Sequence, residues 1–199
     1  MQKPARTDRG PSAGPDARPL PGLARVWDPF VRFFHWSLVL SFVVAWFTPQ
    51  VANGLIHHWA GYAAASLVIL RLLWGILGTR YARFSQFVRR PRIVLRYLSD
   101  IISGREARHI GHNPAGGAMV LALLVGMLAT SLSGWMMTTN HYYGVAWVET
   151  LHSLAAHGLL LLVFLHLGGV ALASYRHREN LVRAMITGKK RAQDGASTH

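Results

Sequence analysis

An all-α fold, a transmembrane four-helix bundle, is what the sequence predicts, and three observations predict it. The 199 residues are 51% hydrophobic with a mean hydropathy of +0.24 and seven Trp, too apolar for an ordinary small soluble domain. The apolar residues gather in four runs, 29–48, 57–78, 114–138 and 147–175, each near or above the roughly 20 residues that a helix needs to cross a bilayer. The 21 Lys and Arg avoid those runs: six lie at Lys3, Arg6, Arg9, Arg18, Arg25 and Arg32, eight between Arg80 and Arg108, and six between Arg176 and Arg191. Apart from Arg32 at the start of the first, only Arg71 falls inside a run, and the loops 49–56 and 139–146 contain none. That asymmetry predicts a multi-pass membrane protein with both termini and the long middle loop cytoplasmic. A formal charge of +13 invites a nucleic-acid reading, but cations that flank apolar spans argue for anionic lipid instead.

Taken in order, residues 1–25 are rich in Pro, Gly and Arg and are expected to be disordered and cytoplasmic. The membrane domain is expected over 26–186. No short apolar region precedes a small-residue cleavage site, so the first span is expected to remain as an anchor. Asp28-Pro29 is a helix start, with Asp as cap and Pro at the first helical position, and Thr48-Pro49 is its stop. His35 lies within two turns of that start. The second span opens on His57-His58-Trp59-Ala60-Gly61. His57 and Gly61 share a face one turn apart, and the glycine leaves room for something flat or for a helix to approach. Arg71 lies fourteen residues along on the same face.

Residues 91–103 in the middle loop place apolar side chains at intervals of three and four among arginines. An interfacial amphipathic helix on the anionic inner leaflet is expected there, with a solvated basic loop as the alternative. Gly111-His112-Asn113-Pro114-Ala115-Gly116-Gly117 opens the third span. It ends at Ser133-Gly134-Trp135, where Trp135, Tyr142, Tyr143 and Trp147 suit an aromatic belt. Residues 187–199 read as a polar tail.

The fourth span carries histidines at 152, 157 and 166. At 100° per residue, the step from His152 to His166 returns to within about 40° of one face, while His157 lies about 140° away. Along the axis the two are roughly 21 Å apart, most of a hydrocarbon core about 30 Å thick. Matched by depth, His57 pairs with His152 near the outer face and His35 with His166 near the inner one.

Two imidazoles on facing helices, twice, in apolar surroundings suit the two axial positions of iron in a porphyrin that buries itself against Leu, Phe and Trp. Zinc would need about four ligands at one point, and neither Cys nor an intramembrane carboxylate completes such a set. With no Cys, covalent c-type attachment is excluded, so two non-covalent b-type haems are expected, with His35, His57, His152 and His166 as iron ligands. His58 is the rival of His57 for the outer site. His157 reads as a neighbour of a ligand or a helix–helix contact. Arg32 and Arg71 are candidates to neutralise haem propionates, with membrane anchoring the plainer role for Arg32.

The ordered set of motifs resembles the prokaryotic cytochrome b561 family, the di-haem group that includes b-type subunits of nickel–iron hydrogenases. It comprises Arg32-Phe33-Phe34-His35-Trp36, His57 with Gly61, Arg71-Leu72-Leu73-Trp74, the segment from Gly111 to Gly117, Glu149-Thr150-Leu151-His152, and His166. The resemblance covers residues from about Val26 to Ile186. It implies the same four axial histidines and a carrier that exchanges electrons between the quinone pool, ubiquinone or menaquinone, and a redox partner protein such as a c-type cytochrome, a hydrogenase or a dehydrogenase subunit. His112 and Asn113, beside the expected inner haem, are candidates for the quinone site, with helix capping the plainer role for Asn113. A superoxide:quinone oxidoreductase, which the same family contains, is the alternative. It wants a cationic outer funnel, and the outer loops have no Lys or Arg. A haem-free membrane anchor is a further alternative.

Overall fold

The computed structural model describes residues 23–25, 28–79, 82–105 and 113–191. Four long helices dominate: α1 (Pro29–Phe47), α2 (Leu55–Leu77), α5 (Pro114–Met137) and α6 (Ala146–Arg176). All four are long and apolar enough to cross a membrane. The single turn α3 (Phe84–Phe87) and the helix α4 (Pro91–Ile102) lie between α2 and α5, and α7 (Leu181–Thr187) follows α6.

The starts and stops follow local chemistry. Asp28 caps α1, its carboxylate accepting the Val31 N–H at 2.8 Å, with Pro29 in the first turn. Asn113 caps α5 in the same way, its Oδ1 accepting the Gly116 N–H at 2.6 Å. Gly54, at φ +79°, makes the left-handed turn into α2, a conformation that a side chain would strain.

Within the bundle α1 packs on α2, α2 on α5, and α5 on α6. Side chains bridge the remaining pair, with the Trp46 ring edge-on to His157 at 5.6 Å between α1 and α6. Phe34, Ala64, Val68, Leu124, Met127 and Leu159, drawn from all four long helices, form one buried apolar cluster. The outward faces carry large exposed apolar groups, Leu40 (64% exposed) and Phe164 (62%) among them, as lipid contact requires.

Two features of the arginine-rich end differ from the sequence expectation. Leu23–Arg25 and Lys189–Arg191, expected within a disordered segment and a tail, pair as a short antiparallel ribbon, β1 with β2. Three residues offer too little alternation of apolar and polar side chains to announce a strand, and the pairing depends on two distant segments meeting. The middle loop is also keyed into the bundle. A Cβ added to Gly75 would lie 2.0 Å from the Phe84 ring, and one added to Gly117 would lie 2.7 Å from the Phe87 carbonyl oxygen. These two glycines let α3 sit directly on α2 and α5. Arg176 then ties α6 to the end of α4 by donating to the Ile101 carbonyl at 2.6 Å.

Candidate functional site

At the arginine-free end α2 and α6 bring the His57 and His152 rings together, with centroids 6.0 Å apart and planes at 85°. The Nδ1 of His57 lies 2.8 Å from the Ala45 carbonyl oxygen. A carbonyl can only accept, so His57 carries its proton on Nδ1 and its lone pair on Nε2. His152 repeats the arrangement. Its Nδ1 lies 3.1 Å from the Thr130 carbonyl oxygen and 3.2 Å from Ser133 Oγ. The Ser133 hydroxyl has carbonyls of its own to donate to, Ala129 at 2.8 Å and Thr130 at 3.0 Å, so its oxygen is available to the imidazole N–H.

Each imidazole is thus oriented through one nitrogen and leaves the other free to bind a metal, as a ligating histidine usually is. Gly134 makes room for this: a Cβ there would stand 3.0 Å from His152 Cε1. Gly61, one turn from His57 and half-buried, has nothing within 4 Å of where a Cβ would be. Among the described residues nothing therefore crowds α2 at that position. His58 is exposed, beside His57 in sequence, and its ring stands 6.0 Å from that of His57.

Toward the arginine-rich end, His35 on α1 and His166 on α6 are each half-buried and near enough for their charged forms to interact. The His35 ring meets Trp36 edge-on at 5.2 Å. Its Nδ1 is enclosed, with no hydrogen-bond partner among the described residues. No three His, Asp or Glu side chains converge among the described residues. The donors come in twos, which suits a metal whose remaining positions a macrocycle fills.

The two candidate arginines have different surroundings. Arg71 is 3% exposed, donates from Nη2 to the Ala82 carbonyl at 3.0 Å and stacks its guanidinium 5.0 Å from the Phe84 ring centre. Its Nη1 is buried without a partner among the described residues. Arg32 donates to the Ile186 carbonyl at 2.6 Å, tying α1 to α7, while its Nε is buried and has no partner among the described residues. Asp28 interacts electrostatically with Arg71 and accepts from Trp74 Nε1 at 3.4 Å and from the Thr79 hydroxyl. It joins the ends of α1 and α2 as well as capping α1, a reach the sequence reading missed. Asn113 spends its side-chain oxygen on the α5 cap. His112 lies outside the described residues. His157 is exposed, bonded through Nδ1 to its own helix at Ser153 (2.8 Å) and packed on Trp46.

Sequence reasoning also missed the groups that orient the His57 and His152 imidazoles. Two of them are backbone carbonyls, of Ala45 and Thr130, which no residue type announces. Ser133 and Gly134 were legible as small residues, but their spacing alone did not aim them at His152.

A family model described as prokaryotic cytochrome b561 matches residues 26–188. The chain is 23% identical over 213 aligned positions, 85% of this chain and 86% of the relative, to a protein of Bradyrhizobium diazoefficiens named probable Ni/Fe-hydrogenase B-type cytochrome subunit. No solved structure gives a significant match.

Proposed function

The chain belongs to the prokaryotic cytochrome b561 family, a membrane family of b-type cytochromes, and from that premise we propose that it carries electrons across an inner membrane on two haem b groups. His57 and His152 hold the outer group and His35 and His166 the inner one. The observation that carries this reading is the outer pair: two facing rings, each with Nδ1 committed to an acceptor and Nε2 free.

When bound, the haem iron supplies one-electron chemistry. The chain's residues hold and orient the iron ligands, bury the macrocycle in apolar side chains and offer Arg71, with its unpartnered Nη1, to a propionate. The apolar cluster around Val68 and Leu159 fills the bundle between the two levels. Quinone, ubiquinone or menaquinone, exchanges electrons at one side and a redox partner protein at the other. The name of the Bradyrhizobium relative favours a hydrogenase as that partner. Asn113 and the neighbouring His112 are the residues proposed for the quinone site.

Purified protein expressed with ample haem is expected to carry two haem b per chain, and a quinol analogue is expected to reduce both. A preparation with no Soret absorbance would contradict the reading.

A further inference from the structure

The helix α4 is three-sided. At about 100° per residue, Val94, Tyr97 and Ile101 fall in one sector about 60° wide, with Tyr97 buried and the other two half-buried, as the side that rests on α5 requires. A second sector of about the same width holds Pro91, Leu95, Leu98 and Ile102, all exposed, Ile102 to 86%. A third holds Arg92, Arg96 and Ser99, exposed as well. Neither arginine makes a side-chain hydrogen bond or ion pair to another described residue. The rest of the circle belongs to Ile93 and to a half-buried Asp100, the one acidic residue on the helix. The helix also lies at the depth where the spans end. It follows α3, which sits on the last turn of α2 at Gly75 and the first turn of α5 at Gly117. Its Ile101 carbonyl takes the hydrogen bond from Arg176, the last residue of α6. In a bilayer that is the boundary between hydrocarbon and headgroups.

We infer that α4 is a binding surface for anionic phospholipid. Leu95, Leu98 and Ile102 enter the acyl chains beside the bundle, while Arg92 and Arg96, one turn apart, hold the headgroup phosphodiester, with the Ser99 hydroxyl in the same sector. Charge selects the lipid. Arg89 and Arg90 precede the helix, so from Arg89 to Ile102 four guanidinium groups stand against the single carboxylate of Asp100. A zwitterionic headgroup leaves that excess unmatched, and an anionic one neutralises it. The spacing of the sectors favours a leaflet over a second protein. The arginines lie about 100° round from the exposed apolar side chains, as they must when one sector faces hydrocarbon and the next faces the water boundary. The inference rests on the membrane bundle and not on the haem reading.

The test has two arms, both on the full-length protein. In detergent, native mass spectrometry should show short-chain phosphatidylglycerol binding at least tenfold tighter than phosphatidylcholine of the same chain length. Each cation near an anionic surface contributes about fivefold, so Arg92→Gln with Arg96→Gln should cut the preference below threefold, while Arg92→Lys with Arg96→Lys should keep most of it. Equal binding of the two lipids by the parent, or a preference of threefold or more in the Gln double variant, overturns the inference. The chain has no Cys, so a single introduced cysteine reports one position. In nanodiscs of both lipids holding one protein each, nitroxides at Leu95→Cys and Ile102→Cys should meet dissolved oxygen in preference to a water-soluble nickel complex. The reverse order at Ile102→Cys overturns the inference. Shielding from both reagents would mean that protein covers this face, which overturns it as well. Should the Gln double variant fail to fold, the parent's lipid preference and the labels decide by themselves.

Discussion

The imidazoles of His57 and His152 owe their arrangement to what lies behind them. His152 is pinned by Thr130 and Ser133 and fits only because position 134 has no side chain. Gly134→Ala would place a carbon 3.0 Å from His152 Cε1, tighter than ordinary van der Waals contact, and the ring must turn away from its acceptors. Since the groups behind a metal ligand typically govern affinity by about 10–100-fold, this variant should retain outer haem at least tenfold more weakly than the parent. A haem titration of the apo-protein measures it, and unchanged affinity would mean that the pocket behind His152 is slack. The faces and depths proposed for the four histidines come from a helix that repeats every 3.6 residues and a charge pattern that gives each helix a direction. Their acceptors were not legible in the sequence, because a backbone carbonyl is the same group in every residue.

At the scale of elements, the bundle is closed at its arginine-rich end by parts that are not themselves long enough to span. The turn α3 is held by two glycines on different helices, and α4 rests on α5 with Tyr97 buried and Leu95 and Ile102 exposed. Gly75→Ala would drive a methyl into the Phe84 ring, so a cost of about 1–3 kcal/mol in stability is expected, as for other overpacked cores. Thermal unfolding of the haem-loaded protein in detergent checks this. Adding Phe84→Leu to Gly75→Ala should recover part of the loss, and an equally unstable double variant would show that the clash is not the cause. The periodicity of residues 91–103 announced an amphipathic helix, and α4 spans Pro91–Ile102. The seating of α3 was hidden because Phe84 and Phe87 look like any aromatic pair in a basic loop until Gly75 and Gly117 are brought beside them.

For the whole molecule, composition and apolar run length were enough to give a helical membrane bundle, since a hydrocarbon core admits few other ways to satisfy the backbone. The short ribbon joining residues 23–25 to 189–191 adds that the two terminal segments meet at one end. Reporter fusions at both termini should therefore report the cytoplasm, and fusions within 49–54 or 139–144 the opposite side. A terminus found outside would reverse the orientation proposed for every histidine. The central claim is the pairing of those histidines, and difference spectra of four single variants test it most directly. Reduced-minus-oxidised spectra of His57→Ala and His152→Ala should lack the same haem, and those of His35→Ala and His166→Ala the other, while His157→Ala keeps both. If His57→Ala and His166→Ala lost one haem in common, or if His157→Ala lost a haem that His152→Ala retained, the account would be contradicted.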